Sequence, residues 1–439
     1  MKTYEAYKNS GIDWIGDMPQ DWNVSQYKFV SEVQNGFAFK SNLFDKSEGF
    51  PILRIRDITS GRISTYYQGK FSDDYIVSEG DLLIGMDGDF NVRWWDKEDV
   101  LLNQRCCRIF NKSNADRRFL YYIIPINLQI INDLTYYTTV KHLSSGDINN
   151  AKFSLPSLKE QTQIANYLDH KTQIIDALIE KKELLIKKLQ AQRQAIINEA
   201  VTKGLNPNAK MKDSGIEWLG GIPEHWEVVK FRYKFETTKG LTITKANLLD
   251  SGIPCVNYGE IHSKYGFEVN PEIHKLKYVS EDYLDTNENS LLYKGDFVFA
   301  DTSEDIEGAG NFTHLNSDIP TFAGYHTIIA RLIDNSNYRF VAYFLDSITY
   351  RTQIQNLVKG VKVYSITNKI LKDTFLFFPP ENEQDAIAQF IDNKVKKISS
   401  SIKILDESIK KLKAYRQSII SEAVTGKINV RDWQPQKLN

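Results

Sequence analysis

Four short stretches of the sequence contain residue types used in catalysis, and each lacks the context that the chemistry requires. An adenine methyltransferase needs an Asn/Asp-Pro-Pro-aromatic motif, which Asn206-Pro207-Asn208 does not provide. Gly308-Ala309-Gly310 lacks the third glycine of a nucleotide-binding turn, and Gly426-Lys427 lacks the earlier glycine and the following hydroxyl of a phosphate-binding loop. Glu180-Lys181-Lys182 lies in a helical pattern, where solvated charges are the simpler interpretation. The sequence therefore predicts a chain that is not an enzyme.

Metal and disulfide chemistry also lack support in the sequence. Three cysteines among 439 residues cannot form a disulfide framework or a four-cysteine zinc site, and the seven histidines show no metal-binding spacing. The first residues lack the apolar run of a signal peptide, and the longest near-apolar stretch, 120–131, is too short to span a bilayer. We therefore expect a cytoplasmic protein with reduced thiols, no membrane segment, no metal and no cofactor of its own.

Side chains that could contact nucleic acid occur in clusters in both halves of the chain. Arg and Lys read guanine, Asn and Gln read adenine, and basic or hydroxyl side chains hold phosphates. The candidates in the first half are Lys40, Ser41, Arg54, Arg56, Arg93, Asn103, Gln104, Arg105, Lys141 and His142. Those in the second half are Lys245, Asn257, Tyr258, Lys264, Tyr265, Lys275, Lys359, Lys362 and Tyr364. A solvated surface residue is the alternative for each, because 55 basic and 56 acidic residues leave no strongly basic segment.

Two internal repeats organise the elements that must position these candidates. Residues 8–24 return at 212–228, an offset of 212 − 8 = 204, with nine of 17 positions identical. Residues 156–206 return at 379–429, an offset of 379 − 156 = 223. The matching ends enclose middles that share only fragments, such as Gly36 with Gly240. This pattern indicates a duplicated frame whose two middles have diverged.

The second repeat predicts two long helices. Seven of eleven positions at spacings of three and four are apolar in each copy, among them Ile164, Leu178 and Leu185 in the first. A seam sustained over so many heptads indicates a coiled coil, with a helix pair buried inside a globular core as the alternative. Glycines at 204 and 426 are expected to end the two helices. Apolar residues beside the seam predict a docked partner protein, and these are Ile174, Ile179, Leu184, Ile186 and Ile197.

The remaining segments, about 1–155 and 207–378, predict mixed α/β domains. Strands are expected at 50–55, 81–84, 106–110, 296–299 and 327–333, and the stretches 118–134 and 339–357 have helical spacing. Each domain leads directly into a helix of roughly 65 Å, so the connectivity predicts two domains separated by an antiparallel helix pair. The expected fold class is α+β with an internal pseudo-twofold repeat.

The repeated motifs resemble those of a known family. The motifs are Asp213 to Gly220 followed by Ile222-Pro223-Glu224-His225-Trp226, Pro156 to Gln161 with Ile164-Ala165, and the stretch 198–206 leading into Met211-Lys212. In this order they resemble the specificity subunit of type I restriction-modification systems. The resemblance covers nearly the whole chain, and the departures lie in the two middles.

The resemblance implies target-recognition domains at 1–155 and 207–378, helical spacers at 156–206 and 379–427, and a C-terminal tail at 428–439. Each domain would read one half of a bipartite double-stranded DNA site, and the helices would set the spacing and dock two modification subunits. Those partners would bind S-adenosylmethionine and methylate adenine, and restriction (motor-nuclease) subunits could join them for cleavage. Two other functions stay open on the residues alone, a scaffold or mimic that binds only protein and an enzyme with a degenerate active site.

Overall fold

The computed structural model describes residues 2–134, 141–216, 220–360 and 363–435, which form two compact units. Unit 1 comprises Met1–Lys182 with Asp406–Asn439, and unit 2 comprises Glu183–Leu405. The division runs through two long helices, Leu158–Lys203 and Glu381–Val424, which are called the first and the second long helix below. Each unit therefore contains part of both long helices in addition to its own sheets and core.

Unit 1 contains two main sheets. The first is antiparallel, in the order Val92–Trp94, Leu82–Gly85, Cys106–Asn111, Ser31–Asn35. The second has the order Phe44–Asp45, Tyr66–Tyr67, Phe50–Leu53, Val100–Leu102, Ile76–Val77. Two smaller pairs join Tyr7–Asn9 to Asp17–Pro19 and Asn23–Gln26 to Lys152–Leu155. The shorter helices are Tyr27–Val30, Ile55–Ser60, Arg117–Leu134 and Ser145–Asn150, with 3-10 turns at Ser41–Leu43 and Asp73–Tyr75.

Unit 2 repeats this plan. Its first sheet has the order Phe235–Lys239, Thr327–Leu332, Phe297–Ala300, Phe312–Leu315, Phe267–Val269, and its second has the order Lys277–Val279, Ile253–Val256, Thr321–Ala323, Leu291–Leu292. The smaller pairs are Met211–Asp213 with Gly221–Pro223, Glu227–Lys230 with Phe375–Phe378, and Thr302–Ser303 with Tyr364–Ser365. The shorter helices are Tyr258–Ser263, Tyr283–Thr286, Tyr338–Asp346, Ile348–Leu357 and Asn368–Asp373, with 3-10 turns at Phe231–Tyr233, Lys245–Asn247 and Glu288–Ser290.

The main difference between the first sheets is the additional strand Phe267–Val269 in unit 2, which pairs in parallel with its neighbour. The offset between matched residues grows from 261 − 58 = 203 to 295 − 80 = 215 across this stretch. An insertion of 215 − 203 = 12 residues therefore supplies the extra strand. The frame that the repeat predicts is kept, and the insertion extends the sheet at its edge.

The expected strands are confirmed to within two residues, because each is a short apolar run, and four of the five are buried on both faces along most of their length. The single helical stretch expected at 339–357 is wrong in one respect. Ser347 divides it into Tyr338–Asp346 and Ile348–Leu357. The Ser347 hydroxyl accepts from the Tyr350 amide and donates to the Phe344 carbonyl, so it caps the second helix where the first one stops.

The repeated openers pack into the two cores beside a helix end. Trp22 is buried in unit 1 and Trp226 in unit 2. A Cβ added to Gly426 would lie 2.3 Å from Pro19 Cδ, and one added to Gly204 would lie 3.3 Å from the Trp226 ring. Both glycines have a positive φ, as expected for residues that end helices. The end of the second long helix thus packs on the first opener, and the end of the first long helix packs on the second opener.

The long helices form an antiparallel coiled-coil pair. In unit 1 the N-terminal part of the first packs with the C-terminal part of the second, and Arg416 Nε donates to Asp176 Oδ1 at 2.9 Å. Leu178 and Leu185, which were expected in the seam, are exposed, while Ile179 is buried instead. A straight α-helix has 3.6 residues per turn, so a strict heptad line drifts around its surface by about 20° per heptad. The expected seam is therefore wrong at these two leucines.

Candidate nucleic-acid interface

Loop 103–105 in unit 1 contains three predicted residues in a fixed backbone conformation. A Cβ on Gly36 would lie 2.0 Å from the Asn103 carbonyl oxygen, so this close approach requires glycine. The Gln104 amide donates to the Phe37 carbonyl at 2.8 Å, and Arg105 adopts a φ of 72°. A left-handed backbone in a residue with a Cβ costs about 1–3 kcal/mol and persists where surrounding contacts impose it. This loop is therefore the first candidate for a functional site in unit 1.

Arg105 belongs to a cluster of exposed charged and polar groups around Asp87. Its Nη1 donates to Asp87 Oδ2 at 2.9 Å, and His142 Nδ1 lies 2.7 Å from Asp87 Oδ1. The Arg105 side chain is 56% exposed even though the carboxylate holds it. The carbonyl of Lys141 accepts from the Gly88 amide at 3.1 Å, which places it beside the same cluster. The structure thus brings Arg105 together with the distant pair Lys141 and His142, although the Lys141 amine itself donates to the Asn132 carbonyl at 2.9 Å.

Arg54 and Arg56 lie at the start of helix Ile55–Ser60, which packs against strand Leu82–Gly85. The Arg54 backbone amide donates to the Asp57 carboxylate at 2.9 Å and so caps the helix. Burial raises the pKa of the Asp57 carboxyl, and the Arg54 hydrogen bond and the nearby guanidinium groups oppose that shift. Arg56 Nη2 donates to Ser64 Oγ at 2.9 Å on the exposed side of the helix. Arg56 is therefore an exposed residue that a DNA phosphate or base can reach.

Loop 324–326 in unit 2 is the structural equivalent of loop 103–105. Each loop ends where the longest strand of its sheet begins, Cys106–Asn111 in unit 1 and Thr327–Leu332 in unit 2. A Cβ on Gly240 would lie 2.1 Å from the Gly324 carbonyl oxygen, which repeats the close approach in the first copy. The duplication has kept the backbone of this loop and changed its side chains.

His326 takes the place of Arg105 in the second copy. Its φ is 56°, and its Nδ1 lies 3.2 Å from Asp301 Oδ1. The backbone contact is also repeated, because the His326 carbonyl accepts from Asp301 as the Arg105 carbonyl accepts from Met86. The His326 side chain is 57% exposed. Sequence reasoning missed this residue because its type differs, and the available signal was its position one residue before the repeated strand.

Aromatic side chains surround His326 and border a cleft. The Tyr258 ring centroid lies 5.6 Å from that of Tyr325 and 5.3 Å from that of His326. Burial and the neighbouring Tyr258 raise the pKa of the Tyr325 hydroxyl. The adjoining cleft of about 710 Å³ is lined by residues that include Tyr258, His262 and Asn311. Flat aromatic faces beside polar donors suit contact with nucleotides.

Three residues that were predicted to contact DNA are buried or already bonded within the chain, so these three predictions are wrong. The side chains of Asn103 and Asn257 are buried, and Asn257 donates its backbone amide to Glu260 at 3.1 Å to start a helix. Arg93 donates to the Ile58 carbonyl at 3.3 Å and to Asp96 at 3.2 Å. A buried amide has no surface to offer a base, and both Nη atoms of Arg93 are already bonded within the chain while its Nε is buried without a partner. These three residues support the structure of the site and do not belong to the proposed DNA-contacting surface.

The other predicted residues divide by exposure. Tyr265 and Tyr364 are half-buried, and the Tyr265 hydroxyl donates to the Lys275 carbonyl at 2.6 Å. Lys362 lies outside the described residues. The exposed ones are Lys40, Ser41, Gln104, Lys245, Lys264, Lys275 and Lys359. Direct DNA contact by any of them stays a prediction.

The predicted partner-binding residues lie at different depths on the first long helix. Leu184 is 52% exposed, Ile174 and Ile186 are half-buried, and Ile179 is buried. Ile197 is 0% exposed and packs in the core of unit 2 with Trp226. The prediction that Ile197 docks a partner is therefore wrong, because the chain's own core covers it.

The described part of the chain contains neither a cluster of metal ligands nor a membrane-spanning helix. No group of three or more His, Cys, Asp or Glu side chains there could hold a metal ion. None of the helices there combines the length and the apolar character needed to cross a membrane.

Comparison with known proteins identifies the family. The family model described as the type I restriction modification DNA specificity domain matches twice, at residues 19–188 and 223–411. The chain belongs to this family. The predictions of a specificity subunit and of a duplicated frame are confirmed, since the two matches follow the repeat. Its partners are DNA and other subunits of a type I restriction-modification system.

Named relatives and a solved structure agree with this membership. The EcoBI specificity subunit of Escherichia coli is 29% identical over 97% of this chain and 90% of its own length. The MjaVIII specificity subunit of Methanocaldococcus jannaschii is 24% identical over 94% of this chain and 95% of its own. A chain from a structural study of the assembly and conformational transition of the type I R-M system matches with a TM-score of 0.66. That chain is 17% identical and covers 94% of this specificity subunit and 99% of itself, which supports the fold.

Proposed function

We propose that each unit of this specificity subunit reads one half of a bipartite double-stranded DNA site, through loop 103–105 in unit 1 and loop 324–326 in unit 2. The observation that supports this most is the repeated presentation of a side chain with a nitrogen donor. Arg105 and His326 occupy equivalent left-handed positions beside an aspartate, and each is more than half exposed. The same loop conformation with a different side chain in each unit suits the reading of two different half-sites.

The chemistry of the two loops differs in the number of donors. The Arg105 guanidinium can donate two parallel hydrogen bonds to O6 and N7 of guanine, and Asp87 holds it in place until DNA arrives. His326 offers one ring nitrogen, and the rings of Tyr258 and Tyr325 beside it add apolar contact. Exposed lysines near these elements would hold phosphates, which fixes the register of the protein on the duplex.

The long helices would dock the partner proteins. Leu184 exposes an apolar side chain in a helix that is otherwise rich in charge, and Ile186 is half-buried beside it. We propose two modification subunits as the partners, with S-adenosylmethionine bound by them and not by this chain, and with restriction (motor-nuclease) subunits able to join. The three cysteines are free and buried, which suits the reducing cytoplasm as the location.

The test is a map of methylated adenines in a host that expresses this chain with the modification subunits of its own system. A bipartite motif with one fixed gap is expected, and the modification subunits without the chain should leave that motif unmethylated. A continuous motif, or methylation that does not depend on the chain, would contradict the proposed function.

A further inference from the structure

Unit 1 contains a polar clamp between a domain helix and the first long helix. Asp169 of the long helix accepts from Arg118 Nη1 at 2.9 Å and from the Tyr122 hydroxyl at 2.6 Å. Arg118 and Tyr122 lie four residues apart on helix Arg117–Leu134, so they face the same side. Two donors from one helix thus converge on one carboxylate of the other.

Unit 2 contains the same clamp on the second long helix. Asp392 accepts from Arg339 Nε at 2.9 Å and from the Tyr343 hydroxyl. The donors again lie four residues apart, on helix Tyr338–Asp346. Both copies share the pattern Arg-Phe-x-x-Tyr at these positions, although the surrounding middles have diverged. The two aspartates are matched by the offset of the second repeat, 392 − 169 = 223.

A second anchor lies eight residues earlier on each long helix. The Gln161 side-chain oxygen accepts from the Asp116 amide at 2.9 Å, and its nitrogen donates to the Pro156 carbonyl at 3.0 Å. Gln384 makes the matching bonds, to the Asn337 amide at 2.9 Å and to the Pro379 carbonyl at 2.9 Å. Eight residues of α-helix span about 12 Å. Two anchors at that separation resist rotation of the domain on the helix, which one anchor alone would allow.

The clamps combine buried tyrosines with partly exposed charges. Tyr122 and Tyr343 are buried, whereas the side chains of Asp169 and Asp392 are 41% and 39% exposed. Burial followed by the adjacent carboxylate raises the pKa of each tyrosine hydroxyl. Hydrogen bonds to a charged carboxylate are stronger than neutral ones. In unit 2 the Arg339 guanidinium is further held by Glu268. Each domain helix is thus fixed to its long helix by charged and buried contacts.

We propose that these clamps fix the angle of each target-recognition domain on its long helix and so restrict the subunit to one gap length between half-sites. This inference rests on the proposed function, in which each unit reads one half-site. A domain of about 155 residues has a radius of gyration of roughly 15 Å, so a compact domain is about 40 Å across and its far surface lies about that distance from the helix. A rotation of about 5° would move that surface by roughly 3.5 Å, which is one base-pair step.

The test uses two pairs of substitutions in the assembled complex, Asp169→Asn with Asp392→Asn and the milder Tyr122→Phe with Tyr343→Phe. Methylated adenines are mapped for the wild type and both variants. The expected result is methylation of the same half-sites at gaps one base pair longer or shorter, about tenfold above the wild-type level. A matched control is Asp296→Asn, which breaks a buried ion pair with Arg331 at 2.8 Å inside unit 2. The control should lower the melting temperature and keep one gap length.

Variants that lose thermal stability and still methylate at a single gap length would overturn the inference, because the clamps would then have a structural role only. The outcome for the wild type separates this failure from failure of the proposed function. A wild-type map without any bipartite motif would remove the proposed function and the inference together. A bipartite wild-type map with an unchanged gap in both variants would remove the inference alone.

Discussion

Replacing Arg105 with alanine should relax base discrimination at one position of one half-site. A bidentate contact to guanine is worth about 1–3 kcal/mol of discrimination, which is roughly 5-fold to 150-fold in relative affinity. The guanidinium is half exposed and is oriented by one carboxylate at 2.9 Å. Asp87→Asn keeps the guanidinium but frees it, so the expected loss is about 0.5–1.5 kcal/mol, the cost of ordering one flexible side chain on binding.

The assay is competition binding by the complex of this chain and its modification subunits, with duplexes that each carry one changed base pair. Lys159→Ala serves as a control, because it removes the same charge from an exposed position on the first long helix. The Arg105 variant should tolerate a change at one base pair and keep its selectivity elsewhere. An equal loss on every duplex, with a salt dependence reduced by about one phosphate contact, would refute the base-reading role and assign Arg105 to the phosphate backbone.

Two further predictions concern stability and assembly. His314 is buried, and burial followed by the Arg339 guanidinium lowers its pKa from 6.5 to about 4. Between these two pH values His314 is protonated in the unfolded chain and neutral in the folded chain. The free energy of unfolding should therefore fall by up to roughly 3 kcal/mol as the pH drops from about 6.5 to 4. Denaturant titrations should show this slope and should lose it in His314→Gln; an equal slope in both proteins would refute the assignment. Ile186→Asp should weaken co-purification with the modification subunits at an unchanged melting temperature, whereas the core substitution Ile197→Asp should lower that temperature. Intact assembly of the Ile186 variant would argue against docking on this face.

The duplicated frame could be predicted from the sequence because local patterns carry it. The offsets of the two repeats place equivalent sheets in both units, and short β-branched runs locate their strands. The exposure of Leu178 could not be predicted from a heptad line, since the line ignores the drift of a 3.6-residue helix. The break at Ser347 was equally hidden, because both flanking helices keep an apolar face.

The candidate site depends on contacts between residues that are distant in sequence, and these were only partly predictable. Arg105 was found from its type, whereas His326 required the alignment of two loops that share a backbone and no residue type. Asn257 has the right type for reading adenine, but its place at the start of a helix buries it. Asp169 lies 169 − 122 = 47 residues beyond its partner Tyr122, so only the folded chain reveals that contact.

The two units are proposed to read separate half-sites. The most direct measurement is a map of methylated adenines after residues 235–332 are replaced by the corresponding stretch of the EcoBI specificity subunit. That exchange replaces the two main sheets of unit 2 and loop 324–326, and it keeps Arg339, Tyr343 and Asp392 of the clamp while replacing Glu268. We expect one half of the bipartite motif to change while the other half and the gap stay the same. A change in both halves, or in neither, would contradict this proposal.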